Sequence, residues 1–90
     1  MSIFLKDPGS VTEYAVDWDA GYLAGRSIAQ SVWSAVPAGL VLSGARLAGG
    51  RTAIMLASGA AGTLYRVTNR VTLSDGSSDE RTLAVRTEDR

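Results

Sequence analysis

The sequence predicts an all-β protein, a sandwich of about seven antiparallel strands. Short segments rich in Val, Ile, Leu, Thr and aromatic residues are separated by turn signals about every 8–12 residues, a spacing typical of sandwiches and barrels. No segment has a persuasive 3.6-residue period, since the best helical candidate, Ala20–Ala35, contains Gly21, Gly25 and three serines. The turn signals are Pro8-Gly9, Ala20-Gly21, Pro37-Ala38-Gly39, Gly49-Gly50, Ser58–Gly62 and Asp75-Gly76.

Seven strands are predicted in chain order, and seven is the number in a minimal immunoglobulin-like sandwich. The 90 residues suit one domain, residues 1–90, of this fold class. A break in the fourth strand at Gly44 is left open. The predicted strands are Ile3–Lys6, Val11–Trp18, Ser27–Ala35, Leu40–Leu47, Arg51–Ala57, Thr63–Leu73 and Glu80–Thr87.

Alternation along each strand assigns the side chains that face the interior, because neighbouring residues point to opposite faces of a sheet. Asn69 falls on an inward face, where an amide needs partners, so it either caps a bulge or marks a polar seam to a neighbouring molecule. The other inward positions are Tyr14, Val16, Trp18, Ile54, Leu56, Tyr65, Val67, Val71, Leu73, Leu83 and Val85.

The last two strands are predicted to form a hairpin with a five-residue loop, Asp75–Asp79. That register sets Val71 opposite Leu83, Thr72 opposite Thr82 and Arg66 opposite Glu88, which are favourable cross-strand pairs. Trp33 lies on the third strand, where such folds often bury a tryptophan. Tyr65 lies where these folds place a tyrosine corner.

Composition excludes several classes of function. Nine basic and nine acidic residues cancel, so no net charge attracts nucleic acid or an anionic membrane. Eight of the nine basic residues are Arg, which suits protein interfaces but also follows from a GC-rich genome. The first ten residues contain no signal-peptide segment, and no apolar run is long enough to span a membrane.

The chain contains no His and no Cys, so Ser-His-Asp and Cys-His catalysis, disulfides and most transition-metal sites are excluded. Asp17 and Asp19 are the one conceivable catalytic pair, but Asp at a strand end more often serves a turn. Calcium at these residues, or at the cluster of Asp75, Asp79 and Glu80, is disfavoured because two or three oxygens per site are too few. We expect no enzyme activity and no cofactor.

Three further patterns could suggest a binding function, and for each the sequence favours a simpler interpretation. Arg66 and Arg70 share the outer face of the sixth strand and fit an ordinary polar face or a subunit contact better than a nucleic-acid stripe. Trp18, Trp33 and the tyrosines fit a core better than a sugar-stacking platform, with Tyr22 the exception because it lies in a loop. The glycines of the segment GARLAGGRT meet neither the P-loop nor the dinucleotide fingerprint.

Two segments, KDPGSVTEYAVDW (6–18) and GTLYRVTNRVTLSDGSSDERTLAVR (62–86), resemble a family of small virion proteins of tailed bacteriophages, the fiber–tail adaptor proteins. The middle of the chain, LAGRSIAQSVWSAVPAGL, follows the same layout. Its later strands, LVLSGARL and RTAIMLAS, contain less Thr and fewer aromatic residues than those of the family.

The resemblance implies an immunoglobulin-like fold and a structural role at the tail or neck of the virion, joining larger parts. The implied partners are other virion proteins, with a homo-oligomer in the virion left open, and the implied location is the virion, after assembly in the host cytoplasm. The alternative is a capsid decoration or carbohydrate-binding module. The candidate interface residues, for which fold maintenance is the other interpretation, are Lys6, Asp7, Asp17, Trp18, Asn69 and Arg70.

Overall fold

The computed structural model describes residues 3–89, apart from the side chain of Ala20, and contains the seven predicted strands and one helical turn. The turn, α1, spans Ala20–Leu23 and is the only part of the weak helical candidate that is helical. The strands are β1 (Ile3–Lys6), β2 (Thr12–Asp17), β3 (Ile28–Val36), β4 (Leu40–Ala48), β5 (Arg51–Ser58), β6 (Thr63–Leu73) and β7 (Ser78–Thr87).

The strands form two sheets that pack as a β-sandwich. One sheet has the order β1-β7-β6-β3 and the other β2-β5-β4. All pairs are antiparallel except β1 with β7, which is parallel. The expectation of antiparallel strands throughout is therefore wrong at β1. This strand is not joined to β7 by a hairpin, and the turn at Pro8-Gly9 carries the chain into β2 of the other sheet.

The interior lies between the two sheets and is divided into two apolar clusters that share Trp33 at their border. The predicted inward faces are confirmed, since each inward position is buried except Leu83, which is partly buried. The first cluster contains Tyr14, Ile54, Leu56, Tyr65, Val67 and Val85, and the second Val16, Trp18, Leu23, Ile28, Val71 and Leu73.

The register of the last hairpin differs from the prediction. Val67, not Val71, lies opposite Leu83, and the hydroxyls of Thr68 and Thr82 face each other at 3.0 Å. The reason is a tighter turn, in which the N–H of Gly76 donates to the carbonyl of Leu73 at 2.9 Å. Gly76 adopts a φ of 88°, a conformation that glycine allows, and so closes a short loop that a larger side chain would strain.

Tyr65 forms the predicted corner at the start of β6. Its ring is almost fully buried, and its hydroxyl accepts a hydrogen bond from the N–H of Ala60 at 2.8 Å. A Cβ at Gly39 would lie 2.9 Å from this hydroxyl, so the turn before β4 needs glycine there. The hydroxyl thus holds the loop between β5 and β6 against the body of the sandwich.

Replacing Tyr65 with phenylalanine is expected to lower the free energy of unfolding by about 1 kcal/mol, because the N–H of Ala60 loses the partly buried hydrogen bond that the Tyr65 hydroxyl accepts. Urea unfolding measures the change. Tyr22→Phe is the matched control, since its hydroxyl bonds at the surface, and it should cost less than about 0.5 kcal/mol. Equal costs for the two variants would contradict the assigned role of the corner.

Candidate interaction surface

The segment Lys6–Ser10 forms the turn by which the chain crosses from one sheet to the other. Asp7 organises it: its Oδ1 accepts from the N–H of Gly9 at 2.8 Å, and its carbonyl accepts from the N–H of Ser10 at 3.0 Å. Lys6 is buried, and its Nζ donates to the carbonyls of Asp7 and Ser58, at 2.9 and 2.7 Å. Lys6 therefore ties β1 to the end of β5 in the opposite sheet.

Burial lowers the pKa of Lys6, and the nearby Asp7 carboxylate only partly offsets it. Because the folded state binds this proton less tightly than the unfolded chain does, the stability contributed by Lys6 rises with pH. We therefore expect the free energy of unfolding to rise from about pH 8 to about pH 10, relative to a Lys6→Met variant. The Lys6→Met variant keeps every other titratable group, so their contributions cancel in the difference between the two proteins. A constant difference between the two proteins would contradict a desolvated Lys6 ammonium.

Trp18 directly follows β2 and is fully buried between the sheets. Its Nε1–H donates to Oδ1 of Asn69 at 3.0 Å and lies 3.3 Å from Oγ1 of Thr52. The hydroxyl of Thr52 donates to the same Asn69 oxygen at 2.6 Å. The two sequence segments that carry the family resemblance therefore meet at one buried hydrogen-bond network.

Asn69 is the centre of this network and has all of its hydrogen-bonding positions filled. Besides the two bonds that its oxygen accepts, its Nδ2 donates to Oγ of Ser31 at 2.8 Å and to the carbonyl of Val32 at 3.3 Å. Asn69 points inward as predicted, but β6 has no register shift beside it, so the bulge-cap interpretation is wrong. Its bonds are made within the chain and join β2 and β5 to β3 and β6.

Two residues cover the outer side of Trp18: Arg81, which sequence reasoning missed, and Tyr22, which it expected outside the core. The guanidinium of Arg81 stacks 4.6 Å from the Trp18 ring, and its Nη1 donates to the carbonyl of Asp17 at 3.0 Å. The ring of Tyr22 in α1 lies 6.0 Å from that of Trp18. Arg81 lies opposite Asn69 in the hairpin, so the correct register would have pointed to it.

Side-chain hydrogen bonds connect α1 and the residues after it to β7 and to the turn that precedes β7. The Tyr22 hydroxyl donates to Oδ2 of Asp79 at 2.6 Å, which raises the pKa of Tyr22 and lowers that of Asp79. Hydrogen bonds from the hydroxyl and N–H of Ser77 lower the pKa of Asp75 to about 2. Arg26 completes the group with an ion pair to Asp75 at 3.3 Å. Asp75 therefore supports the turn, and Asp79 at the start of β7 holds the Tyr22 hydroxyl.

The outer face of the four-stranded sheet carries exposed apolar side chains around arginines. Arg70 lies there between Val32 of β3 and Glu80 of β7. Towards the other end of this face, the register brings together a set that we call the outer patch: Ile3, Leu5, Val36, Leu64 and Arg66. Its four apolar members are 44–67% exposed, and Ala84 and Arg86 of β7 lie between the members on β1 and those on β6. Exposed large apolar side chains grouped on one face mark a candidate contact surface.

The candidate residues thus divide between interior and surface. Lys6, Trp18 and Asn69 are buried and bonded within the chain, which supports the fold-maintenance interpretation for these three. Asp7 is partly exposed, and Asp17 and Arg70 are exposed. Interface contacts through these candidates stay a prediction, and the surface residues are the ones that a partner can reach.

The other candidate functions from the sequence concern Asp17 and Asp19, a metal site and a sugar-stacking platform. Asp17 accepts from the N–H of Asp19 at 3.0 Å, and Asp19 accepts from Gly21 at 3.2 Å, so both serve the turn into α1. Within residues 3–89 no acidic cluster is arranged to hold a metal ion, and no helix there is long and apolar enough to cross a membrane. The burial of Trp18 removes it from any sugar-stacking platform.

Fold and surface together define a small β-sandwich whose distinctive polar residues hold its two sheets together. The family described as podophage GP4 fiber-tail adaptor protein gp77 matches residues 6–86, which is most of the chain. The chain belongs to this family, and the resemblance seen in its sequence is confirmed. No curated protein matches it.

Proposed function

We propose that this protein is a non-enzymatic structural component of a phage virion that joins the fibers to the tail through protein–protein contacts. The family match over residues 6–86 is the observation that carries the proposal. The buried hydrogen-bond network of Trp18 and Asn69 adds a physical reason for a structural role. Polar residues of both matching segments maintain one fold, and a rigid adaptor needs a fixed shape to connect larger parts.

The outer patch is the proposed contact surface. Exposed apolar residues beside an arginine are typical of protein interfaces, because burying them is favourable and a guanidinium desolvates more easily than an ammonium. The members of the patch lie on three strands of one sheet, β1, β3 and β6, so the strand pairing of the sheet fixes their relative positions. We propose further that the domain extends over residues 1–90 and is immunoglobulin-like, which the tyrosine corner at Tyr65 and the partly buried Trp33 support.

Deleting the gene from the phage that carries it tests the role directly. We expect particles that keep head and tail but lack fibers, seen by electron microscopy, and fibers restored by the wild-type gene supplied in trans. Particles that keep their fibers without the gene would refute the adaptor role.

The same assay tests the outer patch. Leu64→Glu should fail to restore fibers, because it places a charge in the contact. Val41→Glu is the matched control: Val41 is 52% exposed, Leu64 44%, and Val41 lies on the three-stranded sheet. Restoration by both variants would show that the contact lies elsewhere.

A further inference from the structure

The sandwich has four edge strands, β1 and β3 in one sheet and β2 and β4 in the other. An edge strand has backbone N–H and C=O groups without strand partners, which can pair with another chain. Proteins protect such edges by making them short, by placing charges on them, or by bulges that twist them away.

Three of the four edges carry such protection. β1 has only four residues. β2 carries the charges of Glu13 and Asp17. In β4 the register shifts between Ser43 and Arg46, beside Gly44 with a φ of 61°.

The remaining edge, β3, is unprotected over most of its length. It has nine residues, IAQSVWSAV, with no charge and no proline. Its register shift lies near the start, between Ile28 and Gln30. From Gln30 to Val36, within residues 3–89, its backbone hydrogen bonds to other backbone groups are those with β6.

We propose that β3 pairs antiparallel with β3 of a second copy, which joins two four-stranded sheets into one of eight strands. Charge favours the second copy as the occupant: β3 brings no like charges together, and the chain has no net charge. Self-pairing of β2 centred on Ala15 would instead set Glu13 against Asp17 of the second copy, which is repulsive.

The side chains of β3 suit a two-fold axis at Val32. On the outer face such an axis sets Val32 against Val32 of the second copy and Gln30 against its Ser34, and on the inner face it sets Trp33 against Ser31. Inward positions also meet inward positions, because the register preserves the alternation of faces. Val32 is 57% exposed in the single chain and would be covered in the dimer. The adaptor role permits this dimer but does not require it.

Sedimentation velocity over a concentration series tests the dimer. The wild-type chain should approach twice its mass of 9.4 kDa. Val32→Lys should raise the dissociation constant of the dimer about tenfold or more, because it sets two ammonium groups against each other. Val41→Lys, on a different edge strand, should leave it unchanged. A wild-type monomer at every concentration, or an assembly that Val32→Lys leaves intact, overturns the proposal.

A second measurement does not depend on the folding of the lysine variant. The chain has no native cysteine, so a single Val32→Cys reports its own cross-linking. Residues opposite each other across two strands are close enough for a disulfide, and Val32→Cys should oxidise to a covalent dimer much faster than Val41→Cys. Equal rates refute the β3 pairing, while the fiber assay on deletion particles still tests the adaptor role separately.

Discussion

Replacing Trp18 with alanine is expected to lower the free energy of unfolding by about 3–5 kcal/mol. The fully buried ring contributes to the second apolar cluster, and its removal leaves a cavity between the sheets. Its loss also takes the donor from Asn69 and the stacking surface from Arg81. A domain of this size has about 5–13 kcal/mol of stability in total, so the variant should be close to unfolding.

Urea unfolding followed by circular dichroism measures the loss, and Trp33→Ala is the matched control. Trp33 is only partly buried, and its Nε1 has no hydrogen-bond partner among the described residues. Its truncation should therefore cost less, about 1–3 kcal/mol. A cost for Trp18→Ala no larger than that for Trp33→Ala would show that the Trp18 contacts do not hold the sheets together.

The strands and their inward faces could be predicted because they depend on local pattern. Two-residue alternation alone placed Tyr65, Val67 and Asn69 inward, and all three are buried. The pairing of distant strands is not local information. The parallel pairing of β1 with β7 depends on where the chain crosses between sheets, and the pattern of Ile3–Lys6 says nothing about it.

For the candidate interface residues, too, the sequence pattern does not reveal contacts with distant parts of the chain. Lysine is rarely buried, and the sequence pattern left Lys6 open between an interface role and fold maintenance, whereas the structure buries it and gives its ammonium two carbonyl acceptors. The register error in the last hairpin separated Asn69 from its true neighbour Arg81. Because the turn is tighter than predicted, the predicted register did not place Arg81 opposite Asn69, and the contact of Arg81 with Trp18 could not be predicted.

Replacing Asn69 with leucine is expected to cost about 2–4 kcal/mol, although leucine has a similar size and suits an apolar interior. The cost arises because the Thr52 hydroxyl loses its acceptor and Nε1–H of Trp18 keeps only its longer bond, 3.3 Å, to Oγ1 of Thr52. Buried polar groups left without a partner are penalised by about 1–3 kcal/mol each. The effect should appear as a melting temperature lower by about 4–8 °C per kcal/mol. Arg70→Leu, the same change of polarity one residue later on the exposed face, should stay within about 0.5 kcal/mol.

A double-mutant cycle separates the network from the packing around it. Trp18→Phe removes the indole N–H and keeps an aromatic ring. In the Trp18→Phe chain, Asn69→Leu no longer takes an acceptor away from the indole, so fewer buried polar groups lose a partner than in the wild-type chain. The two substitutions together should therefore cost less than the sum of their separate costs, by about 1 kcal/mol or more. Strict additivity would mean that Trp18 and Asn69 stabilise the sandwich independently, and the two family segments would then meet without depending on each other.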